Sequence, residues 1–299
     1  SVLVKSGHQK EQREVPVAIN TDNLTTTIKV IAAATPLCFS LVCIANEAKF
    51  SPVNTSKWFH QTQLPNGHAW FNNEQQHYTD RTTNAYVSAG TLKIVAKKEA
   101  FTDQGKTKQY TSARLNSKFA FRYGRVEVRA KLPSRPDTWP AIWTLGKNIK
   151  ESGAYWETQG RGTISWPGCG EIDIMEHWGS RANFVQSATH TISSSGDTVN
   201  KGGQAIATAT TDFHIYAMNW SAESIVFSVD NKVHYRYQPR KKNSRTWPFD
   251  QEQYLILNLA IESDIYSGFN SAQMEIDYVR VYAENAGPGD KPIWSDEFD

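Results

Sequence analysis

The segment GEIDIMEHWG, residues 170 to 179, sets three carboxylic acids, Glu171, Asp173 and Glu176, among apolar, strand-like neighbours. Carboxylates are almost never buried without partners. The acids therefore either decorate a solvated edge strand or were put on one face to do chemistry. Simple alternation places Glu171 and Asp173 together and Glu176, an odd number of positions on, on the opposite face. A β-bulge at Ile174 and Met175 changes this: two residues occupy one pleat position, and Glu176 returns to the face of the other two. Ile172, Ile174 and Met175 leave the other face fit for burial, which an edge strand in water does not need.

The elements that position these acids are strands. With 299 residues, 39% of them hydrophobic, the chain can bury one large β core or two ordinary ones. A net charge of +2 indicates no field for nucleic acid. Ten Trp and twelve Tyr exceed what packing needs and suit a ligand with alternating apolar and hydroxylated faces, as sugars have. Cys38, Cys43 and Cys169 leave at least one thiol unpaired and lack metal-ligand spacing, so neither a disulfide scaffold nor a zinc site is expected.

TLKIVAKK at 91 to 98 and GRVEVRAKL at 124 to 132 alternate apolar and polar residues. FHIYAMNWSAESIVFSVDNKVHYRY carries turn signals at Ser221-Ala222-Glu223 and Asp230-Asn231, the pattern of two consecutive hairpins. QYLILNLAI at 253 to 261 is apolar almost throughout, and MEIDYVRVY at 274 to 282 alternates again. Helical periodicity never persists, so an all-β sandwich is expected. The first 49 residues differ. A polar start is followed by IKVIAAATPLCFSLVCIANEA, of secretory h-region length but far inside the chain and interrupted by Lys29 and Pro36. It reads either as a β segment completing the core or as a leader-like remnant, and as a membrane span it is marginal.

YGRVEVRAKLP, TWPAIWTLG, WPGCGEIDIMEHWG, HTISSSG, YLILNLAI and IDYVRVY, in that order, resemble glycoside hydrolase family 16, above all its bacterial laminarinases, the endo-β-1,3-glucanases. The likeness runs from about Ser51 to Tyr282. A segment similar to KPIWSDEFD opens the domain in that family, whereas here it occupies 291 to 299. The order resembles a circular permutation joined through AENAGPGD, or alternatively the start of a second domain. The expected division is thus 1–49, without family counterpart, and 50–299, the catalytic domain, with 291–299 in the place of the family's first strand.

The resemblance implies a jelly-roll β-sandwich of two curved antiparallel sheets with a substrate cleft on the concave face. It implies a retaining endo-hydrolase in which Glu171 is the nucleophile, Glu176 the acid/base and Asp173 their assistant, with Glu176 protonated near neutral pH while Glu171 stays ionised. Trp139 and Trp143, of equal strand parity, then stack on glucose rings, although either also suits a core, and Pro140 between them hints at a bulge or edge. His190 lies near the reacting sugar unless it is a packed core histidine. Asn72 and Arg125 resemble substrate-binding positions, Arg125 having Glu127 or solvent as its alternative. A structural Ca²⁺ on the convex face is implied at Gly90 and Asp277, with Glu297 as a third ligand, unless Asp277 merely caps a strand. The expected partner is a polysaccharide, with no nucleic acid and no membrane. The chain is expected to be monomeric and secreted, cell-surface or periplasmic. Rival readings are a carbohydrate-binding jelly roll without catalysis and an enzyme for mixed-linkage glucan or agar-type galactan.

Overall fold

Alternating sequences become strands whose apolar sides meet between two sheets. The computed structural model describes residues 19–21, 24–26 and 50–299. The chain divides into two units, Ser1–Lys49 and Phe50–Asp299. In the first, β1 (Ile19–Thr21) and β2 (Leu24–Thr26) pair antiparallel. The apolar stretch at 28 to 48, expected to be a β segment or a leader remnant, lies outside the described residues.

In the second unit a seven-stranded sheet runs in the order β13 (Lys201–Ala205), β12 (Phe184–His190), β11 (Glu171–Glu176), β10 (Thr138–Gly146), β17 (Gln253–Ile261), β8 (Arg114–Phe121) and β3 (Trp58–His60). A ten-stranded sheet runs β16 (Lys232–Tyr237), β15 (Ile225–Val229), β14 (His214–Trp220), β9 (Gly124–Lys131), β18 (Ser271–Tyr282), β6 (Thr91–Asp103), β7 (Lys106–Ser112) and β4 (His77–Tyr78). Two further strands join it, β5 (Ala85–Ser88) beside β6 and β19 (Trp294–Asp296) beside β18. Only β4 and β7 pair parallel among the described strands. The expected hairpins are β14–β15 and β15–β16. Asp230 and Asn231 turn the second with φ of 49° and 65°, the left-handed geometry that two-residue hairpin loops demand.

The core between the sheets contains Val126, Val128, Ile142, Ile172, Met175, Leu255, Leu257 and Leu259, with Trp220 and Phe227 toward one end. β17 is buried along its whole length, one side in this core and the other under the opposite surface of its sheet. That surface carries the site.

KPIWSDEFD supplies β19, which continues the line of β6 along β18: Ile276 pairs with Leu92, and Val281 with Trp294. Trp294 stacks on Phe119 at 5.4 Å and meets Trp58 edge-on at 5.5 Å. Trp58 Nε1 donates to buried Asp296 Oδ2 at 2.8 Å. The segment thus ties β18 of one sheet to β3 and β8 of the other. Phe298 is buried whereas Ile293 remains 54% exposed, because the strand turns it outward. Removing residues 288–299 is expected to lower the melting temperature by roughly 5–10 °C, from the loss of two aromatic anchors. An unchanged thermal melt would show that the segment carries no stability.

Candidate active site

β11 lies between β10 and β12, and both neighbours register one extra residue in it. On β10, Ile142 pairs with Met175 and Trp143 with Asp173; on β12, Gln186 pairs with Glu176 and Ala188 with Asp173. Ile174 is the residue left over, so the bulge falls in the expected place. Ile172, Ile174 and Met175 are buried in the core, while Glu171, Asp173 and Glu176 all line the cleft. Gly170 precedes the strand at φ +77°, where an added Cβ would meet the Phe249 ring at 2.9 Å. Only glycine suits both that backbone and that contact.

The acids are crowded and largely buried. His190 pairs in register with Glu171. Its Nε2 lies 3.0 Å from Asp173 Oδ2 and 3.5 Å from Glu171 Oε1, so Asp173 turns to the imidazole. Trp166 Nε1 donates to Glu171 Oε2 at 2.9 Å, and Trp139 Nε1 to Glu176 Oε1 at 3.2 Å. Burial pushes Glu176 from its ordinary 4.5 up to about 8, reinforced by Asp173, with His190 and the indole N–H pulling the other way. Burial likewise lifts Asp173 to about 8. Glu171 is also driven well above the carboxylate range, by burial and then by Asp173. A protonated Glu176 agrees with the expectation, while at Glu171 burial and Asp173 work against ionisation and the His190 ring and Trp166 N–H favour it.

These groups stand in a cleft of about 560 Å³. On the β17 and β8 side it is lined by Asn72, Glu74, Arg114, Trp143 and Asn258; on the β12 and β13 side by Gln186, Lys201 and Asp197. Asn72 sits in a short 3₁₀ segment at φ 53°. Trp143 Nε1 donates to Asn258 Oδ1 at 2.7 Å, and the Arg114 guanidinium lies 4.8 Å over its ring. Pro140 marks no edge, since β10 is paired on both sides and Pro140 registers with Leu259.

Trp139, Trp143, His190 and Asn72 thus converge with the trio. Arg125 does not. It lies on β9 in the other sheet, where Nε donates to Glu127 Oε1 of its own strand at 2.7 Å and Nη2 to Asn231. Residues two apart share a face, so the pair forms within one strand. The implied calcium residues lie around the middle of β18: Gly90 is in the β5–β6 turn two residues before Leu92, which pairs with Ile276, the neighbour of Asp277. Arg129 Nη1 holds Asp277 Oδ2 at 2.6 Å, and Arg280 holds both oxygens of Glu297.

Several cleft residues were not foreseen. Trp166 is preceded and followed by loop, yet a Trp-Pro five residues ahead of Glu171 is a visible signal. Arg114, 2% exposed, pairs with Glu151 at 3.0 Å beneath the cleft, a contact that no local pattern announces.

A nucleophile and an acid on one face of a bulged strand, walled by indoles, are equipped to break a glycosidic bond, and the molecule is a glycoside hydrolase. The chain belongs to glycosyl hydrolases family 16, whose pattern matches residues 71–280. It is 39% identical over 232 residues to a beta-glucanase of Rhodothermus marinus, covering 72% of this chain and 76% of that protein. It is 35% identical over 268 residues to glucan endo-1,3-beta-glucosidase A1 of Niallia circulans, covering 80% of this chain but 37% of that longer protein. Among solved structures, a LamA variant of Zobellia galactanivorans in complex with laminaritriose and laminaritetraose superposes with a TM-score of 0.71 at 44% identity, over 78% of this chain and 94% of that one. The two-sheet architecture is the family's jelly roll.

Glu176→Gln tests the electrostatics as well as the chemistry. In the unfolded chain Glu176 loses its proton near 4.5, whereas in the fold it keeps it to about 8. Rising pH therefore destabilises the fold across that window. The variant is expected to lose about 10²–10⁴-fold in turnover, to melt higher than wild type at pH 7 and to show no such gain at pH 4. Wild-type kcat/KM is expected to fall as pH rises through about 8. Activity rising through that limb, or a variant less stable at pH 7, would contradict the assignment.

Proposed function

We propose that the protein cleaves β-1,3-glucan internally, with retention of configuration. The bulge carries this reading, because it presents Glu171 and Glu176 to one substrate from a single strand. Glu171 attacks the anomeric carbon while Glu176 protonates the departing glycosidic oxygen, giving a glycosyl-enzyme ester and a free chain end. Glu176, now a carboxylate, takes a proton from water. The water oxygen attacks the same carbon and Glu171 leaves. His190 and Asp173 adjust the charge around Glu171 through the two displacements.

Internal cleavage is supported by polar and aromatic lining on both sides of the trio, Asn72, Trp143 and Asn258 on one and Gln186 and Lys201 on the other. Sugars held on both sides make mid-chain bonds accessible. The β-1,3 linkage is supported by the likeness to the glucan endo-1,3-beta-glucosidase A1 of Niallia circulans and to the Zobellia galactanivorans LamA variant that holds laminaritriose and laminaritetraose. A polymeric substrate also favours a secreted, cell-surface or periplasmic enzyme. Products from laminarin, mixed-linkage glucan, agarose and carrageenan are expected to show mid-size oligosaccharides from laminarin first. Proton NMR of the earliest products should show fresh β-anomer. Fresh α-anomer would overturn the double displacement, and preference for agarose the linkage.

A structural calcium ion belongs to the same proposal. The Gly90 carbonyl and the Asp277 oxygen not taken by Arg129 are hard donors suited to it; Glu297, with both oxygens on Arg280, is the poorer ligand. The ion would brace the middle of β18 against the β5–β6 turn and has no part in the chemistry. Calcium added to chelated protein is expected to raise the melting temperature, with the gain lost in Asp277→Ala. Identical melts with chelator and with calcium would dismiss the site.

A further inference from the structure

The bulge that aims Glu176 also disturbs the ladder to β12, where pairing steps from Asp173 with Ala188 directly to Glu176 with Gln186. The Ile174 carbonyl lies inside this irregularity, in a residue 2% exposed, and a buried carbonyl without a donor is costly. Its donor is a side chain. Ser187, opposite the bulge on β12 and 1% exposed, donates from Oγ to Ile174 O at 2.7 Å.

A serine hydroxyl has one proton, and here it is committed to the carbonyl. The second contact of Ser187 Oγ, 2.8 Å from His234 Nε2, is therefore one in which the imidazole donates. His234 comes from β16 in the opposite sheet. Its Nδ1 is buried without a partner, as befits a neutral ring protonated on Nε2, and burial holds its pKa down at about 4. A directed relay thus crosses the sandwich, from His234 N–H to Ser187 O–H to the bulged carbonyl.

We propose that Ser187, oriented by His234, is a positioning residue for hydrolysis: it pins the Ile174 bulge in the register that presents the Glu176 carboxyl to the cleft. The inference rests on the two-glutamate reading above. Without the hydroxyl, the carbonyl loses its donor and the bulge loosens, so the Glu176 carboxyl is held less firmly in the position that faces the leaving sugar. Glu171 and Asp173 precede the bulge and stay registered with His190 and Ala188. The acid/base function suffers and the nucleophile does not.

That asymmetry is measurable. Cleavage of laminarin needs a proton on the leaving sugar, whereas a dinitrophenyl β-laminaribioside has a leaving group that departs without one. Ser187→Ala is expected to lose about 10–100-fold in kcat/KM on laminarin, with little change on the aryl glycoside and laminaritetraose binding retained. Ser187→Thr, which keeps the hydroxyl, should restore most of the laminarin activity, and His234→Phe should show a smaller loss of the same pattern. Equal losses on both substrates, or none on laminarin, would overturn the inference. Wild-type protein that cuts the aryl glycoside but not laminarin would instead overturn the substrate reading, and the Ser187 comparison would then be made on the glycan that is cleaved.

Discussion

A β-strand returns its side chains to one face every second residue, and Glu176 follows Glu171 by five. The chain absorbs this mismatch in Ile174, and both adjacent strands shift register to accommodate it. The cost is a disturbed ladder in the middle of a seven-stranded sheet, where β11 has a neighbour on each side. The bulge persists because its surroundings determine it. Ile172 and Met175 fill the core between the sheets, Ser187 satisfies the freed carbonyl, and a one-residue slip would exchange buried isoleucines for buried carboxylates. The hydrophobic core thereby acts as a positioning device for the acids.

Burial works against the same acids. Three largely buried carboxyls side by side resist ionisation, and stability is lost at neutral pH to keep them there. The site limits the penalty with weakly polar donors. Two indole N–H groups, from Trp166 and Trp139, each meet one glutamate, and the imidazole of His190 lies against Glu171 and Asp173. None of these donors carries the fixed charge of an arginine, which would hold the acids ionised and leave no proton to give. Arg114 shows the contrast: it lies in the same cleft but is paired to Glu151 and stacked on Trp143.

The strands, the double hairpin and the trio were legible because each is written in local spacing: alternation, turn residues and a five-residue interval needing one bulge. The motif series added the roles of the acids and the cleft-side placement of Trp139, Trp143 and His190. What stayed hidden was set by tertiary pairing. Arg125 alternates as a surface residue should, and nothing local says which sheet its strand joins. Arg114 and Glu151 are 37 positions apart and meet only when β8 and the loop after β10 are folded. Ile293 looks like a core residue in KPIWSDEFD, yet the short pairing of β19 with β18 points it outward.

β17 explains why the cleft floor can be rigid. QYLILNLAI is buried on both sides, so its alternation is masked: Leu255, Leu257 and Leu259 enter the core, while Tyr254 and Ile256 pack beneath the loop that carries Ile149 and Ala154. Asn258 is the polar break on that second side. It accepts from Trp143 Nε1 and donates from Nδ2 to Tyr78 Oη at 3.0 Å, and Tyr78 in turn donates to Glu74 at 2.8 Å. Glu74 is buried and raised by desolvation, with Gln76 donating to the same oxygen. The line of hydrogen bonds fixes the Trp143 ring from one edge while Arg114 covers its face. A sugar arriving on this floor orders few side chains, so more of its contact energy remains for holding the chain against Glu171 and Glu176.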